Sequence, residues 1–155
     1  MLQDLEFGHL DNQYRKKLPQ SEDIVLCMRK TDILICRDCE DHLTLPTWEQ
    51  VHGVCRTWHR WSSEMRTQFV FSLQGKDYYL WMGEAGIIDG FSYEPAATLR
   101  QVVSKEVCFA AMTGWHLFTW YRNNQFCGRC GARTEHDDKE RMMRCRYSIV
   151  WFTRW

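Results

Sequence analysis

Long apolar runs are missing from this 155-residue chain. None approaches the roughly 20 residues that a membrane span needs, so no membrane association is expected. The opening residues, M-L-Q-D-L-E-F-G-H, are acidic and have no apolar centre. No secretory signal is expected there, and cytoplasm is the expected compartment. An excess of one charge is missing too. Twenty Lys and Arg balance twenty Asp and Glu, for a net charge of zero. That argues against a protein built mainly to grip nucleic acid. No internal repeat or low-complexity segment is present. With 45% hydrophobic and 26% charged residues, the length fits one domain plus a small appendage.

What is abundant is cysteine and aromatic carbon. Eight cysteines in a reducing compartment point to metal ligands or core thiols rather than disulfides. Eight Trp, eight Phe and six Tyr point first to packing.

Two hairpins are predicted. Asp23–Met28 and Asp32–Cys36 flank Lys30-Thr31, and Phe69–Leu73 and Tyr78–Met82 flank a glycine-containing loop. The basic stretch Tyr14-Arg15-Lys16-Lys17 reads as an extended arm. Cys39–Pro46 and Gly83–Gly90 read as turns and loop, and Trp48–Trp61 shows no clean period. Ser104 is placed to cap a helix running to about Arg122. Val107, Ala111, Trp115 and Phe118 share one face of it, with Ala110, Gly114 and Tyr121 beside them. Gly114 costs such a helix about 1 kcal/mol relative to Ala, which suggests close approach of another element. The order of strands, helix and small ribbon is α+β: a small antiparallel sheet domain with a C-terminal helix, then a partial zinc ribbon.

The chemistry concentrates in Phe126–Ser148, F-C-G-R-C-G-A-R-T-E-H-D-D-K-E-R-M-M-R-C-R-Y-S. Cys127 and Cys130 form a C-x-x-C pair with glycine after each cysteine, where positive φ is easiest. A second pair about 14 residues on would complete a tetrahedral zinc site. Cys145 arrives at that distance, but its partner position is Ser148, whose hydroxyl would have to be deprotonated to bind. His136 is a candidate fourth ligand, Asp137 and Asp138 are weaker ones, and water is another. Free thiols and a redox pair are alternative readings. A redox pair is expected at a helix N-terminus, and this one follows a helix. Cys36 and Cys39, near Asp41 and His42, form a second pair that reads better as a core thiol and a turn. Cys27, Cys55 and Cys108 sit in apolar surroundings.

The stretch from Phe109 to Gly131, F-A-A-M-T-G-W-H-L-F-T-W-Y-R-N-N-Q-F-C-G-R-C-G, resembles the middle of NADH pyrophosphatases. These Nudix hydrolases are also called NAD diphosphatases. The resemblance runs from about Leu99 to Cys145. A weaker likeness from Asp23 to Pro95, including G-F-S-Y-E-P at Gly90–Pro95, fits the family's N-terminal Nudix-like domain. It implies residues 1–122 as that domain, 123–148 as a partial zinc ribbon, and 149–155 as an aberrant or disordered tail. It also implies hydrolysis of NADH or NAD to a nicotinamide mononucleotide and AMP, with Mg²⁺ or Mn²⁺ assisting attack of water. Bacterial relatives also remove the NAD cap from RNA. The implied metal ligands are Cys127, Cys130 and Cys145, with His136 as the candidate fourth. A homodimer, or an intact relative, is the implied partner.

The sequence departs from the family where catalysis would lie. The Nudix box needs glutamates one helical turn apart, and neither Arg-Glu nor Glu-Glu occurs in these 155 residues. The S-Q-P-W-P-F-P nicotinamide signature is absent as well. The expectation is a chain that stops before the catalytic domain and has no activity alone. After Cys145 the family's Pro-x-Cys-Gly is replaced by Arg146-Tyr-Ser-Ile-Val-Trp-Phe-Thr-Arg-Trp155. A frameshift would account for that break without recovering the missing cysteine. The other expectation is a stand-alone ribbon that binds RNA or protein. From Arg122 onward there are eight Lys or Arg against four Asp or Glu, with Tyr147, Trp151, Phe152 and Trp155 available for stacking.

Overall fold

The computed structural model describes residues 9–38, 40, 42–54, 67–83, 85–99, 104–147, 151 and 152. Among these residues no helix is long and apolar enough to cross a membrane.

The fold is α+β. Strands β1 (Leu10–Asp11), β2 (Ile24–Arg29), β3 (Asp32–Arg37) and β4 (Leu43–Thr44) lead to a short helix α1 (Trp48–His52). Then come β5 (Thr67–Leu73), β6 (Lys76–Trp81), β7 (Phe91–Pro95), a 3-10 turn and the long helix α2 (Lys105–Asn123). The sheet order is β1-β5-β6-β2-β3-β4, and β7 also pairs with β3.

Both expected hairpins form. Lys30 turns the first with φ +57, and Gln74-Gly75 turn the second with φ +51 and +78. That second loop is two residues long because consecutive positive φ values match the twist of the strands. The sheet is mostly antiparallel, as expected, with one parallel pair. β2 runs parallel to β6 from Ile24↔Tyr78 to Cys27↔Trp81. Only its last residues, Met28 and Arg29, pair with β3. Residues 85–90 lead into β7, which lies along β3 from Phe91↔Cys36 to Pro95↔Asp32.

Alternation along β2 divides the core. Leu26 and Met28 face α2, with Ile33, Ile35, Leu80, Leu117 and Tyr121. Val25 and Cys27 face the other way, with Leu34, Val51, Trp81 and Ile88. Both faces are buried, so β2 reads as a continuous apolar run.

Ser104 Oγ accepts the Val107 N–H at 3.3 Å, as a helix N-cap should. Asn124 ends α2, its backbone N–H and side-chain Nδ2–H both donating to Trp120 O. The buried face is centred on Ala110, Gly114, Leu117 and Tyr121, with Ala111 and Phe118. Trp115 is only partly buried. The expected close approach at Gly114 is real. A Cβ there would lie 2.8 Å from Leu26 Cδ1 and from Met28 Cε.

Candidate metal centre

The ribbon begins where α2 stops. Thr134 Oγ1 donates to Asn124 O, and Thr134 N–H donates to Gln125 O. Phe126 bridges Arg133, closing the segment into a knuckle. Inside it, Cys127 N–H donates to Ala132 O and Gly131 N–H to Cys127 O, both at 2.8 Å. Gly131 takes φ +71, which is why glycine suits that position. Gly128 is not among the positive-φ glycines, so only one of the two knuckle glycines is needed for its backbone freedom.

The other arm is a small hairpin. β8 (Glu135–His136) pairs antiparallel with β9 (Met143–Arg144). Its tip is closed by Asp137, whose Oδ1 accepts the Lys139 and Glu140 N–H groups. Those N–H bonds hold the Asp137 carboxyl below its ordinary pKa. The backbone of β10 (Trp151–Phe152) adds a third strand against β9. The tail was expected to be aberrant or disordered, yet two of its residues extend the ribbon. Aromatic residues suit a strand, and β9 has a free edge to receive them.

The hairpin delivers Cys145 to the knuckle. The ligand atoms of Cys127, Cys130 and Cys145 all lie within 4.8 Å of one another. Cys130 Sγ and Cys145 Sγ are 3.4 Å apart. A zinc tetrahedron with Zn–S of about 2.3 Å has sulfur edges of about 3.8 Å, so three thiolates so spaced suit the ion. Cys127 and Cys145 are buried and Cys130 is exposed. The Ala132 N–H favours the Cys130 thiolate, but the neighbouring Cys145, burial and Cys127 together push its pKa up. Crowded thiols without a cation resist joint ionisation, and a bound cation reverses that.

His136 is not with the sulfurs. It was a candidate ligand, but the structure commits it to a buried polar relay. Tyr121 O–H donates to His136 Nε2 at 2.9 Å, and His136 Nδ1–H donates to Asp137 O at 2.5 Å. The Tyr14 ring stacks on the imidazole, 5.1 Å between centroids. Burial lowers the His136 pKa, which keeps it neutral. Asp138 is paired with Lys16 at 2.6 Å, outside the sulfur group. Ser148, Cys39, Asp41 and Cys55 lie outside the described residues. Cys36 and Cys108 are half-buried, and Cys27 is buried as expected.

Sequence reasoning missed the residues that seat the ribbon on the domain. Met143 is buried in the core of the domain, with Leu117 and Tyr121. Arg141 Nη2 donates to Phe69 O at 3.0 Å and Val70 O at 2.7 Å, and its side chain also hydrogen-bonds Tyr121. Its two carbonyl partners sit at an irregularity of β5, where the register slips between Phe69 and Phe71. A bulge there leaves carbonyls out of the ladder for Arg141 to satisfy. The one available signal was the spacing of Arg141, Met143 and Cys145, which alternates as a strand does. The N-terminal arm crosses both parts: Tyr14 on His136, Lys16 on Asp138, and Lys17 on Asp77 of β6.

Residues 122–146, spanning all three cysteines, match the family model of the NADH pyrophosphatase zinc ribbon domain. This segment is similar to the zinc ribbon of NADH pyrophosphatases. The match covers the ribbon and leaves the sheet domain outside it. No curated protein matches the chain. The ribbon match and the cysteine cluster together support zinc binding.

Proposed function

We propose that this chain is the ribbon-bearing, non-catalytic portion of an NADH pyrophosphatase-type protein. In this reading residues 1–122 form the family's Nudix-like N-terminal domain, and Cys127, Cys130 and Cys145 hold a structural zinc. The observation that carries it is a coincidence of two independent facts. The segment matched as a ribbon, 122–146, is the one in which three distant thiols converge. The zinc would tie the knuckle to the β8–β9 hairpin, and so hold Arg141 and Met143 against the sheet. The role that fits is placement of a catalytic partner and subunit contact, in a homodimer or with an intact relative.

These 155 residues contain no Nudix glutamate pair to hold Mg²⁺ or Mn²⁺. Purified chain given NADH and Mg²⁺ is therefore expected to release no AMP, while carrying one zinc per chain by elemental analysis. AMP release at the rate of an intact pyrophosphatase would overturn the non-catalytic assignment. Chain purified in the presence of zinc that retains none would overturn the metal assignment.

One observation favours a second reading, a ribbon that binds single-stranded RNA. Phe126 and Tyr147, on either side of the cysteine cluster, are 57% and 78% exposed. Exposed rings beside arginines suit base stacking and phosphate contact. A labelled oligonucleotide should then shift in a salt-sensitive way, and no shift at low salt would end that reading.

A further inference from the structure

We infer that Cys130 and Cys145 form an oxidation site, where hydrogen peroxide links them as a disulfide, expels the metal and leaves the ribbon tied by a covalent bond instead. The release of metal rests on reading Cys127, Cys130 and Cys145 as ligands, whereas the disulfide rests on the sulfur geometry alone. Cys130 is the exposed member of the group, and Cys127 and Cys145 are buried. Among the described residues, a Cβ built on Gly128 or Gly131 meets nothing within 4 Å, so a small oxidant can approach the knuckle. Cys145 Sγ lies 3.4 Å from Cys130 Sγ, although the two residues are fifteen apart and on different arms of the ribbon. Reaching a disulfide bond of about 2.05 Å needs the sulfurs to close by about 1.4 Å. An accessible thiol with a second thiol at contact distance is the arrangement in which a sulfenic acid resolves to a disulfide before it is oxidised further.

The step balances with one peroxide per disulfide. The Cys130 sulfur attacks one peroxide oxygen, the O–O bond breaks, and hydroxide leaves. The Cys145 sulfur then attacks Cys130 Sγ, the S–O bond breaks, and a second hydroxide leaves. Each hydroxide takes a proton, from the thiols or, where zinc has already displaced those protons, from the buffer. Two sulfurs are oxidised, both peroxide oxygens end as water, and zinc leaves with its charge unchanged. The choice of partner decides the consequence. A Cys127–Cys130 link would close only the knuckle, which the Cys127–Ala132 and Gly131–Cys127 backbone bonds already close. A Cys130–Cys145 link joins the knuckle to the β8–β9 hairpin, the same connection that zinc makes in the proposed reading. Cys127 is left as a buried thiol.

The test treats the zinc-loaded full chain with hydrogen peroxide, follows zinc release with a coloured chelator, and maps disulfides after trypsin. Cleavage after Arg129, Arg133 and Arg144 puts Cys127, Cys130 and Cys145 in separate peptides. One zinc should be released for each Cys130–Cys145 disulfide formed, with Cys127 still open to alkylation after denaturation. Dithiothreitol followed by zinc should restore the starting state. Amide protection in residues 133–147 should survive oxidation, whereas chelation of the reduced chain should remove it. A Cys127–Cys130 disulfide as the main product would overturn the inference, as would sulfinic acid at Cys130 without a disulfide, or all three cysteines staying reduced. A Cys130–Cys145 disulfide with protection lost would overturn the claim that the bond stands in for the metal. A chain that takes up no zinc beforehand yet forms that disulfide would confirm the oxidation site and sink the metal assignment instead.

Discussion

Leu26 and Met143 are both almost wholly buried and belong to one apolar core, yet the segments that carry them are built differently. Leu26 sits in a six-residue strand with partners on both sides and α2 above. Burial of that kind is a sufficient driving force for a domain of this size. Met143 sits in a two-residue strand of a ribbon whose strands are all that short. Strands so short do not hold without help. The ribbon's other supports are polar: the Arg141 contacts, the Tyr121–His136–Asp137 relay and the three converging thiols. One region is held by apolar area, the other by a few directional contacts and, in the proposed reading, a metal. The two should therefore fail under different insults.

The largest effect is expected inside the sheet domain. Leu26→Ala removes a fully buried side chain from between β2 and α2, and should destabilise the fold by about 2–5 kcal/mol. Denaturant titration measures it. The variant should still bind zinc with parent stoichiometry, because no cysteine of the cluster depends on Leu26 directly. A loss of zinc in folded Leu26→Ala would show that the two regions are not separable.

Next comes the clamp. Arg141→Met keeps the stem but leaves the Phe69 and Val70 carbonyls without their donor. The expected cost is about 1–3 kcal/mol, the usual penalty for stranding a buried polar group. Unlike Leu26→Ala, it should raise amide exchange first in residues 133–147. Equal loosening of β2 and β6 would contradict a local clamp.

The smallest effect is a pH dependence. Burial depresses the His136 pKa below the ordinary 6.5. The folded state therefore prefers neutral imidazole, while the unfolded chain takes up a proton near 6.5. Stability from this group is complete above pH 6.5 and declines as the pH falls through the folded value. Comparison of the zinc-free chain with His136→Gln should show a shallower acid slope in the variant. Identical slopes would mean that His136 is not held neutral by its burial.

Much of the sheet domain was legible in the sequence because its signals are local. Lys30 and Gly75 mark turns through their φ values, and Ser104 and Asn124 mark helix ends through their side chains. Gly114 marked a close approach because nothing else justifies glycine inside a helix. The parallel β2–β6 pair was not legible. Alternation tells which face a residue occupies and is silent on which strand lies beside it. The Cys127-x-x-Cys130 spacing and Cys145 announced a shared site, since few other arrangements explain them. His136 misled because a histidine near cysteines satisfies both a ligand reading and a hydrogen-bond reading. Only the position of Tyr121, fifteen residues earlier on a different element, decides between them. Arg141 was invisible as a clamp because its partners are backbone carbonyls of β5, which carry no sequence identity.

The most direct test of the account is amide hydrogen exchange on the zinc-loaded chain, before and after chelation, with zinc content measured alongside. Chelation should release one zinc and strip protection from residues 126–147, while β2, β3, β5 and β6 keep theirs. If protection in 126–147 survives loss of the metal, the cysteines do not organise the ribbon, and the central claim is wrong.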